Sequence, residues 1–158
     1  VAFRNAMADL WLAVTSDRPD LALPAFFPIG AYDQAKDEFD PAGDWRNRLW
    51  VDFANDVAAA HHLTGGGATL VRVDVPTAQA DWIGPGACAN VLGYWHVAGA
   101  RVVYRRRGQI RSFGISSLIS WRGDWYVVHF GAELRDSSDG VVDQPDDGPG
   151  VPGPPGGC

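Results

Sequence analysis

The first third of the chain places its apolar residues at intervals of three to four, which is the period of an amphipathic helix. Asp44 stands where the N-cap of the longest predicted helix belongs, since its carboxylate can accept a hydrogen bond from a free backbone N–H. Three glycines at residues 65–67 are expected to end that helix. The predicted helices cover residues 2–15, 29–38 and 45–63.

Beyond residue 67 the apolar positions recur with a period of two, which is typical of half-buried strands. Ala98 and Gly99 interrupt the pattern, and residues 76–89 are expected to form a long irregular connection. The predicted strands cover residues 68–75, 94–97, 100–106, 109–121 and 124–131. Helices followed by an antiparallel meander indicate an α+β fold, with N-terminal helices packed on a curved antiparallel sheet.

The end of the meander resembles the final hairpin of the NTF2-like (cystatin-like) superfamily. A long strand of small and apolar residues, 112–121, is followed by a turn at Arg122-Gly123 and by a strand that begins Asp124-Trp-Tyr. The helix order also fits that family, and the resemblance covers residues 2–131. One departure is that residues 39–43 are too few for the hairpin that many members place there. The resemblance implies a cone-shaped fold that can enclose a pocket, frequent dimers and no particular catalytic residue.

A single domain, residues 1–136, is expected to precede an extended tail rich in Asp, Pro and Gly, residues 137–158. The tail ends in Cys158, and Cys88 is the other of two cysteines. A bridge between them would close roughly 70 residues and stabilise the fold by about 4 kcal/mol. Free thiols and a bond between chains are the alternatives. The bridge predicts an extracellular or cell-surface protein whose signal peptide has been removed.

Composition excludes several classes of protein. The 158 residues carry a net charge of -6, which does not suit a nucleic-acid binder. No apolar run approaches the roughly 20 residues that span a bilayer. Lys36 is the only lysine among 13 basic residues, and Ala, Gly, Val and Asp are abundant, which is typical of high-GC bacterial proteins. Two cysteines are too few for a zinc site, and no motif indicates a metal or a cofactor.

Five residues are candidates for lining a pocket between helices and sheet. His129 and His96 lie on predicted strands and could exchange protons near neutral pH. Asp52 or Asp56 could orient them, and Trp125 shares the face of His129. The sequence contains no nucleophile elbow, HExxH or phosphate-binding glycine loop, so it predicts no catalytic residue.

Other residues are candidates for a partner surface. Trp82 lies in the irregular connection and Trp50 lies beside the apolar stripe of its helix, and aromatic residues in such places often contact partners. Arg105 and Arg107 belong to an arginine-rich hairpin that could bind an acidic polymer or protect a sheet edge. The favoured interpretation is a secreted, non-enzymatic domain that binds an extracellular protein or polymer or forms a homo-oligomer. The alternative is an NTF2-like small-molecule-binding protein or enzyme.

Overall fold

A computed structural model describes residues 2–132, 135 and 139–157. These residues form four α-helices followed by a six-stranded antiparallel sheet that does not close, which confirms the predicted α+β class. The helices are α1 (Ala2–Ser16), α2 (Ile29–Ala35), α3 (Pro41–Asp44) and α4 (Trp50–Thr64), with 3₁₀ turns at Pro19–Ala25 and Thr77–Gln79 and a π-helical turn at Trp45–Leu49. The strands are β1 (Thr69–Asp74), β2 (Asp81–Ile83), β3 (Tyr94–Arg106), β4 (Gln109–Trp121), β5 (Asp124–His129) and β6 (Asp143–Asp146).

The two long strands β3 and β4 form the centre of the sheet, and each is flanked on its outer side by two short strands. β1 pairs with one end of β3 and β2 pairs with the other end. In the same way β5 pairs with β4 from Ser117 to Trp121, while β6 pairs with it at Ser112 and Gly114. Each central strand therefore has a stretch between its two short neighbours that neither of them pairs with.

The apolar stripes of α1 and α4 contribute to a core rich in aromatic residues. Phe27 lies within 5.9–6.5 Å, between ring centroids, of four other aromatic side chains. Phe26 contacts a second aromatic group, in which the rings of Trp45 and Trp50 stack at 5.6 Å. Burying each large apolar side chain contributes about 1.5–3 kcal/mol, so these rings account for much of the favourable free energy of folding.

Two predictions about the strands are wrong. The break predicted at Ala98 and Gly99 does not occur, because β3 continues through it with Gly99 at a φ of 71°. Glycine adopts that conformation without a steric cost, so the strand continues. The connection predicted over residues 76–89 contains the short strand β2, whose three residues are too few for a period to be recognised.

The predicted N-cap at Asp44 is also wrong. The helical segment begins earlier, at Pro41, and the carboxylate of Asp40 accepts the hydrogen bond from Gly43 N at 3.0 Å. Proline at the first helical position and Asp before it are a strong start signal for a helix. Asp44 instead accepts hydrogen bonds from Arg48 and from the hydroxyl of Tyr32.

The tail packs along the body of the protein and contributes β6 to the sheet. Residues 136–138, where the predicted domain ends and the tail begins, lie outside the described residues, as does Cys158. Within the described ranges no helix combines the length and the apolar composition that crossing a bilayer requires.

Candidate functional site

The two histidines of the predicted pocket lie close together on either side of β4. His96 Nε2 and Ser117 Oγ are 2.5 Å apart, and Ser117 pairs directly with His129 of β5. His96 is 1% exposed and Ser117 is 0% exposed, so neither side chain is open to a substrate. A hydroxyl and an imidazole at this distance resemble a nucleophile and its base, but here they form a buried polar pair within the sheet.

Burial keeps both imidazoles neutral at physiological pH. Loss of solvation, assisted by the positive charges of Arg48 and Lys36, lowers the pKa of His129 to about 4. Burial also lowers the pKa of His96, although the Gly156 backbone and the charge of Asp81 oppose the shift. An imidazole that titrates well below neutral pH is a poor proton donor at pH 7.

These shifts predict a dependence of stability on pH. The unfolded chain binds a proton at His129 below about pH 6.5, whereas the folded chain binds it only near pH 4. The stability that the neutral His129 contributes is therefore fully present above pH 6.5. As the pH drops towards 4, the free energy of unfolding falls by about 3 kcal/mol, and protonation of His96 adds a loss of the same sign. Urea unfolding between pH 8 and pH 4 should show a smaller loss in His129→Gln than in the unmodified chain. His62→Gln, at an exposed position, is the control, and equal losses in all three chains would contradict the assignment.

Among the described residues, Asp56 binds backbone N–H groups and Arg135 where a histidine was predicted. Its buried carboxylate accepts hydrogen bonds from the backbone N–H groups of Gly131 and Val141, at 2.9 and 3.0 Å. The guanidinium of Arg135 fills its remaining positions at 2.6 and 3.0 Å. Asp56 therefore ties α4 to the end of β5 and to the start of the tail.

The other two predicted pocket residues lie elsewhere. Asp52 is partly exposed on α4, where its charge helps to raise the pKa of Arg135. Trp125 packs near the start of α1, beside Phe3 and Pro24. Of the five residues predicted to line a pocket, the structure brings together only the two histidines.

The space between the helices and the sheet is filled by side chains. One cleft lies between Asp56, Phe113 and Phe130, and another lies between α1 and the sheet, and neither can hold a water molecule. A larger cleft, of about 430 Å³, is an open groove on the surface between α1 and β1. Apolar residues and two arginines line this groove: Phe3, Arg4, Met7, Leu70, Val71, Arg72 and Val73.

The clearest unpartnered feature is an exposed apolar surface at the β2 edge of the sheet. Trp82 of β2 and Trp95 of β3 are directly paired, and their rings meet edge to face at 5.6 Å. They are 55% and 46% exposed. Val91 and Leu92, both exposed, precede Gly93, whose backbone lies against the Trp82 ring. We call Trp82, Trp95, Val91 and Leu92 the tryptophan surface.

Lys36 holds the loop that carries this surface. Its ammonium donates to the carbonyl oxygen of Cys88 at 3.0 Å, to Asn90 Oδ1 at 2.8 Å and to the hydroxyl of Tyr94 at 3.0 Å. Val91 N also donates to the carbonyl of Ala35 at the end of α2. Charge-assisted hydrogen bonds of this kind are stronger than neutral ones, so the loop that presents Val91 and Leu92 is firmly attached to α2.

The remaining predicted surface residues do not join the tryptophan surface. Trp50 stacks on Trp45 and contacts Phe26 and Phe53, so it belongs to the core. Arg105 and Arg107 are exposed, but ten residues of β3 separate Trp95 from Arg105, which is roughly 33 Å at 3.3 Å per residue. A polymer site that combines the arginine hairpin with Trp82 is therefore not formed.

Comparison of the chain with protein-family models, curated proteins and solved structures gives no match. The NTF2-like resemblance stays a prediction, and the function has to be argued from the geometry alone.

Trp95 stood out in the sequence together with Trp82 and Trp50 as a tryptophan that could contact a partner, and the consecutive aromatic residues Tyr94, Trp95 and His96 cannot all face the same side of a strand. Several other important residues were not predicted. Lys36 had a weaker signal, since a lone lysine among arginines is unusual but indicates no partner. Ser117 and Arg135 had none, because their partners His96 and Asp56 are distant in sequence.

Proposed function

We propose that this chain is an extracytoplasmic, non-enzymatic domain that binds a protein partner through the tryptophan surface, and that a second copy of the chain can serve as that partner. The observation that carries the proposal is the exposed, directly paired Trp82 and Trp95. Tryptophan is strongly enriched among the residues that dominate binding energy at protein interfaces. A contiguous exposed apolar patch on a soluble protein commonly marks such an interface.

The size of the tryptophan surface supports this function. Two tryptophans and two aliphatic residues form the surface, and each is about half exposed. Since a large side chain has an area of about 150–250 Å², together they present roughly 400 Å² of apolar area. A standard interface buries about 800 Å² on each partner, of which about 57% is apolar, or roughly 450 Å². The tryptophan surface could therefore supply most of the apolar area of one side of a standard interface.

The position of the surface at a sheet edge adds a second means of recognition. In the described part of the chain β2 pairs with β3 alone, so its outer backbone groups face away from the sheet. An added strand can pair with such an edge while its side chains contact the neighbouring surface. A partner that pairs with β2 would place its side chains against Trp82.

The proposal includes the predicted bridge between Cys88 and Cys158, which places the protein outside a reducing compartment. The loop of Cys88 is attached through Lys36 to Tyr94 at the start of β3. The tail runs to Gly156, where an added Cβ would lie 3.1 Å from Ala98 Cβ on the same strand. Four residues of a strand span about 13 Å, so the loop and the described end of the tail lie along one part of β3.

A small-molecule-binding protein is the second candidate function, and the groove between α1 and β1 favours it. Its volume of about 430 Å³ falls in the range of ligand sites, and its apolar floor is flanked by Arg4 and Arg72. That combination suits an apolar molecule with an anionic end. Arg72 already pairs with Asp74 at 2.9 Å, which weakens its attraction for an anion, so the groove ranks second.

The tryptophan surface predicts reversible self-association. Sedimentation velocity from micromolar to millimolar concentration should show a monomer that converts rapidly and reversibly to a dimer. Replacing both Trp82 and Trp95 by serine should weaken this dimer at least 30-fold, since a hot-spot residue contributes about 2 kcal/mol or more. Phe39→Ser is the matched control, because Phe39 is a fully exposed aromatic residue outside the surface. A monomer at every concentration, or an equal effect of the control, would overturn the self-association.

A further inference from the structure

The described part of the tail, residues 139–157, crosses the sheet from one outer edge to the other. It begins beside α4, continues as β6 next to β4, and ends against β3 between the ends of β1 and β2. It thus covers stretches of both central strands that their other neighbours leave unpaired. We propose that the surface under residues 139–157, called the tail strip, also accepts this segment from a second copy, so that two chains exchange tails.

The first half of the tail strip is built around a buried arginine on β3. Arg101 Nη1 donates to the carbonyl oxygen of Gln144 at 2.8 Å, and its Nη2 donates to Ser112 Oγ at 2.7 Å. The backbone of Gly150 lies on the same guanidinium, so that a Cβ at Gly150 would be 2.6 Å from Nε. Arg101 is 3% exposed, because the tail covers it.

The second half of the tail strip accepts a closely packed backbone at Gly99 of β3. Gly153 N donates to the carbonyl oxygen of Gly99 at 2.8 Å. A Cβ at Gly99 would lie 2.6 Å from the Gly153 carbonyl oxygen, and one at Gly153 would lie 2.9 Å from Gln79 Oε1. Both glycines have a positive φ, so a larger residue is strained at either position, and at Gly99 it would also meet the backbone of Gly153.

This fit is specific for the chain's own tail. The tail that fills the strip needs a glycine against Arg101 and a second glycine against Gly99. It also needs an acidic residue near Arg111, which pairs with Asp147 at 2.7 Å. Residues 139–157 meet all three requirements, and a second copy presents the same segment. The contacts that the chain's own tail makes are therefore the contacts that the tail of a second copy would make.

Before the bridge at Cys88 forms, residues 139–157 are held by hydrogen bonds, an ion pair and close backbone packing, and a tail from a second copy can make the same contacts. Val151 is 83% exposed, and Val142 is packed against the core only in part. The same hydrogen bonds form again when a second tail enters the tail strip. Reciprocal exchange between two copies satisfies both tail strips and closes a symmetric dimer.

Chain concentration decides between the two arrangements. A tail attached to its own domain competes at an effective concentration of the order of millimolar, so dilute chains keep their own tails. When chains fold together at high concentration, the ratio of exchanged dimer to monomer should rise about tenfold for each tenfold rise in monomer concentration. If the Cys88–Cys158 bridge then forms, it links the two exchanged chains covalently.

The test uses the full chain with Trp82→Ser and Trp95→Ser, which removes the reversible dimer of the proposed function. Equal mixtures of ¹⁵N-labelled and unlabelled chains are refolded under oxidising conditions at low and high concentration and then diluted. Native and non-reducing mass spectrometry should show a mixed-mass dimer that survives dilution, with Cys88 of one chain joined to Cys158 of the other. A mixed dimer with free thiols also supports exchange and rejects only the bridge.

Two variants show whether the tail strip is responsible. Gly153→Val blocks the close approach to β3 and should reduce the exchanged dimer at least tenfold. Gly157→Val, with no atom within 4 Å of its added Cβ, should leave it unchanged. Monomers alone at every concentration, a dimer joined through two Cys158 residues, or an undiminished dimer in Gly153→Val would each overturn the proposal. None of these results bears on the tryptophan surface, which the sedimentation experiment tests separately.

Discussion

Replacing Asp56 by alanine is expected to lower the free energy of unfolding by about 3–5 kcal/mol. The substitution leaves the guanidinium of Arg135, whose side chain is 11% exposed, without its carboxylate. It also removes the acceptor for the backbone N–H groups of Gly131 and Val141. Breaking one side of a buried ion pair costs more than the pair contributes, because the remaining charge stays buried and uncompensated. Urea unfolding of the full chain at pH 7 measures the change.

Asp52→Ala is the matched control, because Asp52 lies one helical turn earlier on α4 and is partly exposed. It should cost no more than about 1 kcal/mol, as is usual for a charge near the surface. Asp56→Asn should fall between the two, since its amide retains one acceptor but no negative charge. Equal losses for Asp56→Ala and Asp52→Ala would show that the carboxylate does not hold the tail and the end of β5 together.

The contact between Asp56 and Arg135 also shows how far the sequence could predict the structure. The helical and strand periods of the chain predicted the element order, because burial on one face leaves a repeating pattern. Asp56 lies 79 residues from Arg135, and no local pattern reports a contact between distant polar residues. The sequence predicted Asp56 as a carboxylate on α4, but it could not show that Arg135 and the backbone of Val141 would bind it.

Of the tryptophans predicted for a partner surface, Trp82 lies on the tryptophan surface and Trp50 lies in the core. Trp82 was a candidate for a partner surface because it lies in the irregular connection, and the structure exposes it. Trp50 was a candidate because it lies beside the apolar stripe of its helix, but Trp45 and Phe26 cover that flank. A helical stripe predicts which face turns inward; whether its border is covered depends on the size of the neighbouring side chains.

Replacing Phe27 by alanine, as a separate variant, is expected to lower the free energy of unfolding by about 3–5 kcal/mol. Phe27 is 0% exposed, and its ring is surrounded by those of Tyr32, Tyr94, Trp121 and Tyr126. Its backbone would stay in place, because its N–H donates to Val127 and its carbonyl oxygen accepts from Trp45 Nε1. The loss therefore reflects the removed ring and the cavity that it leaves.

The same variant tests whether the interior is a filled core or a ligand pocket. An apolar cavity of the size of a lost ring stays dry and can bind benzene. We expect benzene to raise the melting temperature of Phe27→Ala and to leave that of the unmodified chain unchanged. Phe39→Ala, which removes a fully exposed ring, should change neither stability nor benzene binding. If Phe27→Ala does not fold, Phe27→Leu leaves a smaller void and should lose less stability. Benzene stabilisation of the unmodified chain, or a loss of stability in Phe27→Ala no larger than in Phe39→Ala, would mean that the space around Phe27 is not a filled core.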